Sequence, residues 1–440
     1  MKKNTFIYLL VLVFFAACKP EVTEFEPSKG SADFTTYVSI GNSLTSGFAD
    51  GTLYKQGQIN SYPNMLAGQF KLVGGGEFKT PYMLDELGLG GKRILGMSID
   101  CKGTESLGPI LAPGTPDVAG NMASIFVNNE FYNNVGVPGI KIAHLLTTQA
   151  VGNPYYKRFA SNPGTSTILS DAMAKNPTFI SLWIGNNDVL GYSTSGGDNC
   201  GDAITDPTSF TQYLTAVMQQ ITVNNAKGVI STIPYVTSIP YFTTVPYNGL
   251  VLVQAQADGI NAAYAAAFGS AANAAALGFT FTAGQNAWVI QDSTKTGGIR
   301  RLEKGELLLL TVPQDSMKCA GWGSQKPIPH KYVLDSKEIT KVKDAVDAYN
   351  VAIKAAAEQY GWALADMNVY MTKLQSGIVY DGVDYNASFV TGGAFSLDGV
   401  HPNPRGYALI ANEFIRVINA KFAAKIPTVD VNSYPGVVFP

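Results

Sequence analysis

Three residues near opposite ends of the 440-residue chain have the types that acyl transfer requires. Ser43 lies in the segment Y-V-S-I-G-N-S-L-T-S-G, and Asp398 and His401 stand three residues apart in D-G-V-H. A serine becomes a nucleophile when an imidazole removes its proton, and the ordinary imidazole pKa of about 6.5 suits that task. A carboxylate beside the imidazole holds its tautomer and stabilises the imidazolium. These residues predict a catalytic triad if the fold brings them together.

The sequence around Ser43 predicts a sharp turn between a strand and a helix. The apolar run from Tyr37 to Ile40 indicates a buried strand, and Gly41 and Asn42 end it at the head of a helix. Backbone N–H groups point outward at such a turn and the helix dipole favours negative charge, which suits a serine that generates an oxyanion. The alternative is an ordinary helix N-cap, for which serine is a preferred residue.

The rest of the chain alternates strand-like and helical patterns. Further strands are predicted at 131–137, 178–184, 228–233 and 362–365, and helices at 62–70, from 207, at 254–277, at 339–360 and from 404. This alternation predicts an α/β three-layer sandwich with a central, mostly parallel sheet. Ligands bind such folds outside the carboxyl ends of the strands, and Ser43, Gly139 and Asn187 each follow a predicted strand.

We expect one domain over residues 33–440 with insertions at about 71–130 and 278–335. The first insertion is rich in glycine and proline with little periodicity, which indicates a long loop. The second contains W-V-I-Q-D and G-E-L-L-L-L-T-V on either side of residues 295–298, which predicts a β-hairpin.

The blocks G-N-S-L-T-S-G, G-V-P-G, G-N-N-D and D-G-V-H, in this order, resemble the GDSL, or SGNH, family of serine hydrolases. The resemblance covers the surroundings of these blocks but not the insertions. It implies that Ser43 is the nucleophile, His401 the base and Asp398 its partner, in an esterase that uses an acyl-enzyme and neither metal nor cofactor. It also implies an oxyanion hole formed by the backbone N–H groups of Ser43 and Gly139 and the side-chain amide of Asn187.

Two details of the resemblance leave alternatives open. Gly136 is the alternative to Gly139 as the oxyanion donor. For Asn187, the alternative to an oxyanion donor is a turn residue that bonds to its own backbone. Asn42 replaces the aspartate that gives the family its name, and we expect it to tune the site rather than abolish activity. The segment is also not a G-x-S-x-G elbow, which disfavours the α/β-hydrolase fold.

The N-terminus resembles a bacterial lipoprotein signal. Lys2 and Lys3 precede an apolar run over residues 6–15, and two alanines lead directly to Cys18. The pattern predicts a signal peptide over 1–17, lipid attachment at Cys18 and a flexible tether over 18–32. The predicted location is the cell envelope, anchored to the outer membrane on its periplasmic or outer side. A signal peptide cut elsewhere, or a short membrane anchor, is the alternative.

Charge and cysteine usage exclude some partners. The formal charge is −2 without a basic cluster in the sequence, so nucleic acid is not an expected partner. Cys101, Cys200 and Cys319 permit one disulfide in an oxidising compartment, and all three pairings remain open. Their spacings match no zinc motif, so no metal site is predicted.

The sequence leaves the substrate open. A carbohydrate O-acetyl esterase and a lipase-like enzyme both fit, and the long insertions favour a bulky substrate. The rival interpretation is a non-catalytic surface lipoprotein that keeps the fold and binds glycan or lipid. The expected partners are therefore an acylated carbohydrate or lipid and, through the lipid anchor, a membrane.

Overall fold

The computed structural model describes residues 25–198 and 201–440. Its strands are β1 (Tyr37–Gly41), β2 (Arg93–Ile99), β3 (Glu105–Leu111), β4 (Asn134–Gly136), β5 (Phe179–Trp183), β6 (Lys227–Ser231), β7 (Leu250–Leu252), β8 (Gly284–Asn286), β9 (Val289–Gln291), β10 (Ile299–Arg301), β11 (Leu307–Leu308), β12 (Val333–Leu334), β13 (Ala363–Ala365), β14 (Ile378–Tyr380) and β15 (Val383–Tyr385).

The helices surround these strands. They are α1 (Ser43–Ser46), α2 (Lys55–Ile59), α3 (Tyr62–Lys71), α4 (Val118–Met122), α5 (Pro154–Lys157), α6 (Ile168–Met173), α7 (Asn187–Thr194), α8 (Pro207–Ile221), α9 (Pro240–Thr243), α10 (Gln254–Ala267), α11 (Ala271–Ala276), α12 (Gln314–Cys319), α13 (Ser336–Gln359), α14 (Met367–Ser376) and α15 (Pro404–Phe422). Short 3₁₀ turns lie at Ile142–Leu145, Thr148–Gly152, Val236–Ser238, Thr296–Gly298, His330–Tyr332 and Val431–Ser433.

A five-stranded parallel sheet with the order β13-β6-β5-β1-β4 forms the centre of the fold. Every residue of β1 and of β5 is buried, as expected for strands that are covered on both faces. Alternate strand residues face opposite layers: Tyr37 packs in one hydrophobic core and Val38 in the other. The predicted α/β three-layer sandwich is confirmed.

Each face of the sheet is covered by its own set of helices. Helices α3, α14 and α15 contribute to the core on one face, and α6, α8 and α13 to the core on the other. On the second face, the rings of Phe210 and Tyr349 stack with their centroids 4.0 Å apart. The predicted helical stripe at 339–360 is α13, which begins with a capping box between Asp335 and Glu338.

The predicted single helix at 254–277 is two helices, α10 and α11. Gly269 adopts a φ of +83°, which interrupts the helix, and the side chain of Ser270 then accepts a hydrogen bond from the Asn273 N–H to start α11. The alanine-rich pattern predicts helix strongly on both sides of this break and therefore conceals it.

The insertion at 71–130 contains a hairpin, so its prediction as a loop is wrong. Strands β2 and β3 pair antiparallel over their full length, from Arg93 opposite Leu111 to Ile99 opposite Glu105. The hairpin stands away from the sheet and most of its residues are exposed. No buried face imposes an alternating pattern on its sequence, and Gly96, Gly108 and Pro109 weaken the remaining signal.

The insertion at 278–335 is larger than predicted. Ile260 and Tyr264 of α10 pack with Phe279 and Phe281 in a small separate core. The predicted hairpin exists, but its second strand was misplaced: β9 pairs with β10, whereas β11 pairs with β12. The helical periodicity of α10 identifies its buried face, but it does not indicate that residues of the insertion cover that face.

One disulfide joins the two insertions. It links Cys101, at the tip of the β2–β3 hairpin, to Cys319 at the end of α12. Beside it, Lys318 Nζ lies 3.0 Å from Asp100 Oδ2. The structure thereby selects one of the three open pairings, and Cys200 lies outside the described residues.

The predicted signal peptide and Cys18 lie outside the described residues. The prediction of a tether over 18–32 is wrong from Ser28 onward, because Ser28 and Lys425 exchange backbone hydrogen bonds and Ala32 is buried. Across residues 25–198 and 201–440, no helix has the length and apolar character required to cross a membrane.

Candidate active site

Ser43 lies at the start of α1, directly after the central strand β1. Asn42 caps the helix by accepting a hydrogen bond from the Leu44 N–H at 3.1 Å. Gly41 is required at this turn, since a side chain there would collide with Thr45 and with the Trp183 carbonyl. Ser43 itself retains 7% of its surface exposed. The packing therefore presents its hydroxyl at the carboxyl edge of the sheet.

Asn42 makes a contact that an aspartate could not make in the same geometry. Its Nδ2 donates to Asn186 Oδ1 at 3.2 Å, and both side chains are buried. A carboxylate has no donor for that oxygen. Asn42, which replaces the aspartate of the family motif, therefore pairs with Asn186 in the neighbouring G-N-N-D block.

Ser43, His401 and Asp398 form a continuous hydrogen-bonded series. Ser43 Oγ lies 2.9 Å from His401 Nε2, and His401 Nδ1 lies 2.9 Å from Asp398 Oδ2. The His401 and Asp398 side chains are 13% and 9% exposed. The structure therefore places the His401 imidazole within hydrogen-bond reach of both Ser43 and Asp398, as predicted for a triad.

The carboxylate of Asp398 is held by several donors besides the imidazole. Its Oδ1 accepts from the backbone N–H groups of Val400 and His401 at 2.8 Å each and from Ser396 Oγ at 3.0 Å. Its Oδ2 also accepts from the Gly51 N–H at 3.1 Å. Burial alone would raise the pKa of Asp398, but His401 and these hydrogen bonds outweigh burial and lower the pKa to about 2.

Sequence reasoning missed the loop over residues 48–51, which holds the triad loop in place. The Phe48 ring lies 4.6 Å from the His401 ring, centroid to centroid. Asp50 Oδ1 accepts from the Leu397 N–H at 3.1 Å, and the Asp50 N–H donates to Ser396 Oγ at 3.0 Å. Burial raises the pKa of Asp50 above its ordinary value. The only sequence signal here is an Asp-Gly turn, which does not reveal its partner.

Of the two glycines proposed as oxyanion donors, Gly139 has the free N–H. The Gly136 N–H donates to Asn134 Oδ1 at 3.0 Å, and a side chain at Gly136 would collide with the backbone of Ser46. Gly136 therefore permits close packing of α1 on β4. Gly139 is exposed with a φ of +81°, and its N–H has no acceptor among the described residues.

Asn187 lies at the start of α7 and is tied to the Gly139 turn. Its Nδ2 donates one hydrogen to the Ile140 carbonyl at 2.9 Å, which leaves the second hydrogen for another acceptor. Asp188 adds a second link, since its Oδ2 accepts from the Ile142 N–H at 3.0 Å. The G-N-N-D block thus fixes the turn that carries Gly139.

Two cavities of different shape meet at the triad. A wide cleft of about 1640 Å³ lies on the Asp398 and His401 side, between the β2–β3 hairpin and the second insertion. A small apolar pocket of about 90 Å³ lies at the Ser43 end of the triad and is lined by Ser43, Asn187 and His401. Its remaining wall is mainly apolar and includes Met371.

The two other histidines of the chain, His144 and His330, have local partners. His144 Nδ1 accepts from the Lys141 N–H, and His330 Nε2 lies 3.1 Å from Glu338 Oε1. No group of three His, Cys, Asp or Glu residues in the described part of the chain is arranged to hold a metal ion. Of the aromatic residues in or near the insertions, Tyr241 and Trp288 line the wide cleft.

A parallel α/β sandwich with these four blocks at its carboxyl edge has the architecture of the SGNH hydrolases. Residues 37–414 match the family model described as GDSL-like Lipase/Acylhydrolase, and the chain belongs to this family. It is therefore a hydrolase of ester bonds, which favours the enzyme over the non-catalytic binding protein. No curated protein matches the sequence.

Several solved structures resemble the chain at low identity. They include LAE5, an alpha/beta hydrolase enzyme from the metagenome of Lake Arreo in Spain, at 12% identity and a TM-score of 0.36, covering 89% of this chain and 97% of that one. A GDSL-like lipase from Parabacteroides merdae has 11% identity and a TM-score of 0.36, covering 89% and 99%. The lipase/acylhydrolase from Enterococcus faecalis has 12% identity and a TM-score of 0.34, covering 89% and 98%.

Proposed function

We propose that the protein cleaves esters through an acyl-enzyme on Ser43, with His401 as general base and acid and Asp398 as its orienting partner. The observation that carries this proposal is the unbroken series from Ser43 Oγ through the imidazole to Asp398 Oδ2, with 2.9 Å at each step. Both distances lie within the range at which a general base takes a proton.

The geometry supports a two-step reaction. His401 Nε2 removes the Ser43 proton while Oγ attacks the ester carbonyl, and the imidazolium then returns that proton to the departing alcohol. A water molecule, activated by the same imidazole, releases the acid from Ser43 in the second step. Asp398 remains ionised throughout, because its low pKa keeps the negative charge beside the imidazolium.

We assign the oxyanion hole to the N–H groups of Ser43 and Gly139 and to the second Nδ2 hydrogen of Asn187. The Asn187 amide is held by Ile140, so this donor needs little reorganisation in the transition state. Preorganised donors of this kind are worth about 2.7–4 kcal/mol each.

The two cavities favour a small acyl group and a bulky alcohol. The leaving alcohol must lie beside the imidazole, because His401 protonates it. His401 lines both cavities, but only the wide cleft has room for a bulky alcohol portion. The acyl group then enters the small pocket beside Ser43 and Asn187. A pocket of about 90 Å³ suits an acetyl or similarly short group, so we propose a carbohydrate O-acetyl esterase type of activity rather than a long-chain lipase.

We also propose that the chain is lipidated at Cys18 and tethered to the cell envelope, on the strength of the N-terminal sequence. The test is metabolic labelling with an alkyne palmitate in a bacterial host. The wild type should be labelled and the Cys18→Ala variant should not, whereas equal labelling of both would exclude attachment at Cys18.

The test of the mechanism combines covalent labelling with a panel of esters. A fluorophosphonate probe should label the wild type and the matched control Ser336→Ala, an exposed serine at the start of α13, but not Ser43→Ala. On p-nitrophenyl esters of increasing acyl length and on acetylated sugars, activity should peak at acetate. Labelling of Ser43→Ala at the wild-type level would reject the nucleophile, and a maximum at long acyl chains would reject the assignment of the small pocket.

A further inference from the structure

We infer that the wide cleft binds an alcohol portion that carries a negative charge, as a carboxylate, sulfate or phosphate group. The inference rests on the proposed function, because it takes the cleft as the site of the alcohol portion. The inference assigns a negative charge to the alcohol portion of the substrate, which the proposed acyl transfer does not determine.

The charged residues that line the cleft are almost all basic. Arg93, Lys102, Lys318 and Lys326 line it, and its one acidic lining residue is Asp398. The charge of Asp398 is already engaged by the imidazole and by four hydrogen-bond donors. The chain as a whole has a formal charge of −2, so this concentration of positive charge does not reflect its composition.

The basic residues differ in whether their charge is neutralised locally. Lys318 pairs with Asp100 at 3.0 Å, next to the disulfide. In residues 25–198 and 201–440, Arg93, Lys102 and Lys326 take part in no ion pair within 4.0 Å. These three charges remain available to a ligand.

Arg93 has the most informative position of the three. It is exposed at the base of the β2–β3 hairpin, and its guanidinium lies against the backbone of Gly51, where a side chain would collide with it. The same Gly51 donates its N–H to the triad carboxylate. Arg93 therefore lies on the Asp398 side of the triad, where it lines the wide cleft.

The tip of the hairpin and the opposite wall supply the other two charges. Lys102 lies next to Cys101, which the disulfide fixes to α12, and Lys326 lies on the second insertion. The cleft thus has one basic residue near the triad and two further out. A guanidinium binds a planar oxyanion with two parallel hydrogen bonds, and lysines act as point charges, so the arrangement suits an acidic substrate.

The rest of the lining fits an extended polar ligand. Tyr241 and Trp288 offer aromatic surface, and Gln256 and Gln325 offer amide groups. Such groups suit the ring faces and hydroxyls of a sugar. An acidic, acetylated carbohydrate satisfies both the charge and the shape.

The experiment compares two acetyl esters of nearly equal shape, para-acetoxybenzoate and its neutral amide, para-acetoxybenzamide. The measured quantity is the kcat/KM for the anionic ester divided by the kcat/KM for the neutral ester. We expect Arg93→Gln to lower this ratio about tenfold relative to the wild type, because a tenfold change corresponds to the loss of one ion pair of about 1.4 kcal/mol. Raising the ionic strength from about 0.05 to about 0.5 M should reduce the wild-type ratio as well.

Lys92→Gln is the matched control, because it removes the same charge one residue away. The Lys92 ammonium lies over the Tyr54 ring, 4.1 Å from its centroid, and Lys92 does not line the cleft. The kcat/KM ratio of Lys92→Gln should stay within about twofold of the wild-type ratio, as expected of a screened surface charge. Equal losses in Lys92→Gln and Arg93→Gln, or no loss in Arg93→Gln, would overturn the inference.

Binding to Ser43→Ala separates this inference from the proposed mechanism. Calorimetry should show tighter binding of para-acetoxybenzoate than of the amide, and Arg93→Gln introduced into Ser43→Ala should remove the difference. If Ser43→Ala still turns over the esters, the mechanism fails. If it is inactive and binds both compounds equally, the inference alone fails.

Discussion

The Oγ atom of Ser43 lies 2.9 Å from Nε2 of His401, although 358 positions separate these residues in the chain. The contact depends on both ends of the fold. Ser43 follows the central strand β1, and His401 lies in the loop before α15, which packs on one face of the same sheet. The loop over residues 48–51 adds direct bonds between the two regions.

The carboxylate of Asp398 should matter much more for turnover than for folding. Asp398→Asn keeps the shape but favours the wrong imidazole tautomer, so we expect kcat to fall by roughly 10⁴. Steady-state kinetics on p-nitrophenyl acetate measures this, with the exposed hairpin variant Asp384→Asn as control. A loss below about tenfold would contradict the role of Asp398 in the triad.

The two glycines of the G-V-P-G region should respond differently to alanine. Gly136→Ala should destabilise the protein, because its side chain would collide with the backbone of Ser46. A side chain at Gly139 meets no atom within 4 Å, so the cost there is only its φ of +81°, about 1 kcal/mol. In thermal melts, the Tm of Gly136→Ala should be clearly lower than the Tm of Gly139→Ala. The reverse order would be evidence against this packing.

Removal of the Asn187 amide should slow the chemical step. We expect Asn187→Ala to lower kcat by about 10²–10³ with a smaller change in KM, since the lost donor acts mainly in the transition state. Part of the loss will come from freeing the Ile140 turn. A variant with unchanged kcat and a raised KM would show that Asn187 serves ground-state binding instead.

Asp188 should make the protein less stable as the pH rises. Burial raises the pKa of Asp188 to about 6, well above its value in the unfolded chain. Between about pH 4 and pH 6 the folded state holds a proton that the unfolded state has lost, so the free energy of unfolding should fall by about 2–3 kcal/mol. Urea unfolding at several pH values should show this fall in the wild type and a flatter profile in Asp188→Asn. Parallel profiles would contradict the assignment to Asp188.

The small pocket should set the preferred acyl length. Met371 lines it from α14, and Met371→Ala should enlarge it and raise the ratio of butyrate to acetate hydrolysis several-fold. The truncation will also cost about 2–5 kcal/mol of stability, so the ratio is the proper measure rather than the absolute rate. Val369→Ala, on the exposed side of the same helix, is the control. An unchanged ratio in Met371→Ala would place the acyl group elsewhere.

The central fold was predictable because the spacing of apolar residues in its strands and helices follows from which of their faces are buried. Strands β1 and β5 are covered on both faces and read as continuous apolar runs, and α13 carries a core-facing stripe of regular period. The exposed β2–β3 hairpin has no buried face and left no such pattern. The pairing of β9 with β10 rather than with β11 was equally hidden, because short strands do not specify their partners.

The sequence alone determined the residue types of the site, their order in four blocks and the α/β architecture that carries them, because motif chemistry and periodicity are local properties. Tertiary structure decided what depends on distance between remote segments. Within residues 25–198 and 201–440 it left the N–H of Gly139, but not that of Gly136, without an acceptor. It also joined Cys101 to Cys319 and held Asp398 with Gly51 and Ser396. It also placed a wide basic cleft against Asp398 and a small apolar pocket against Ser43, since only the folded chain brings their walls together.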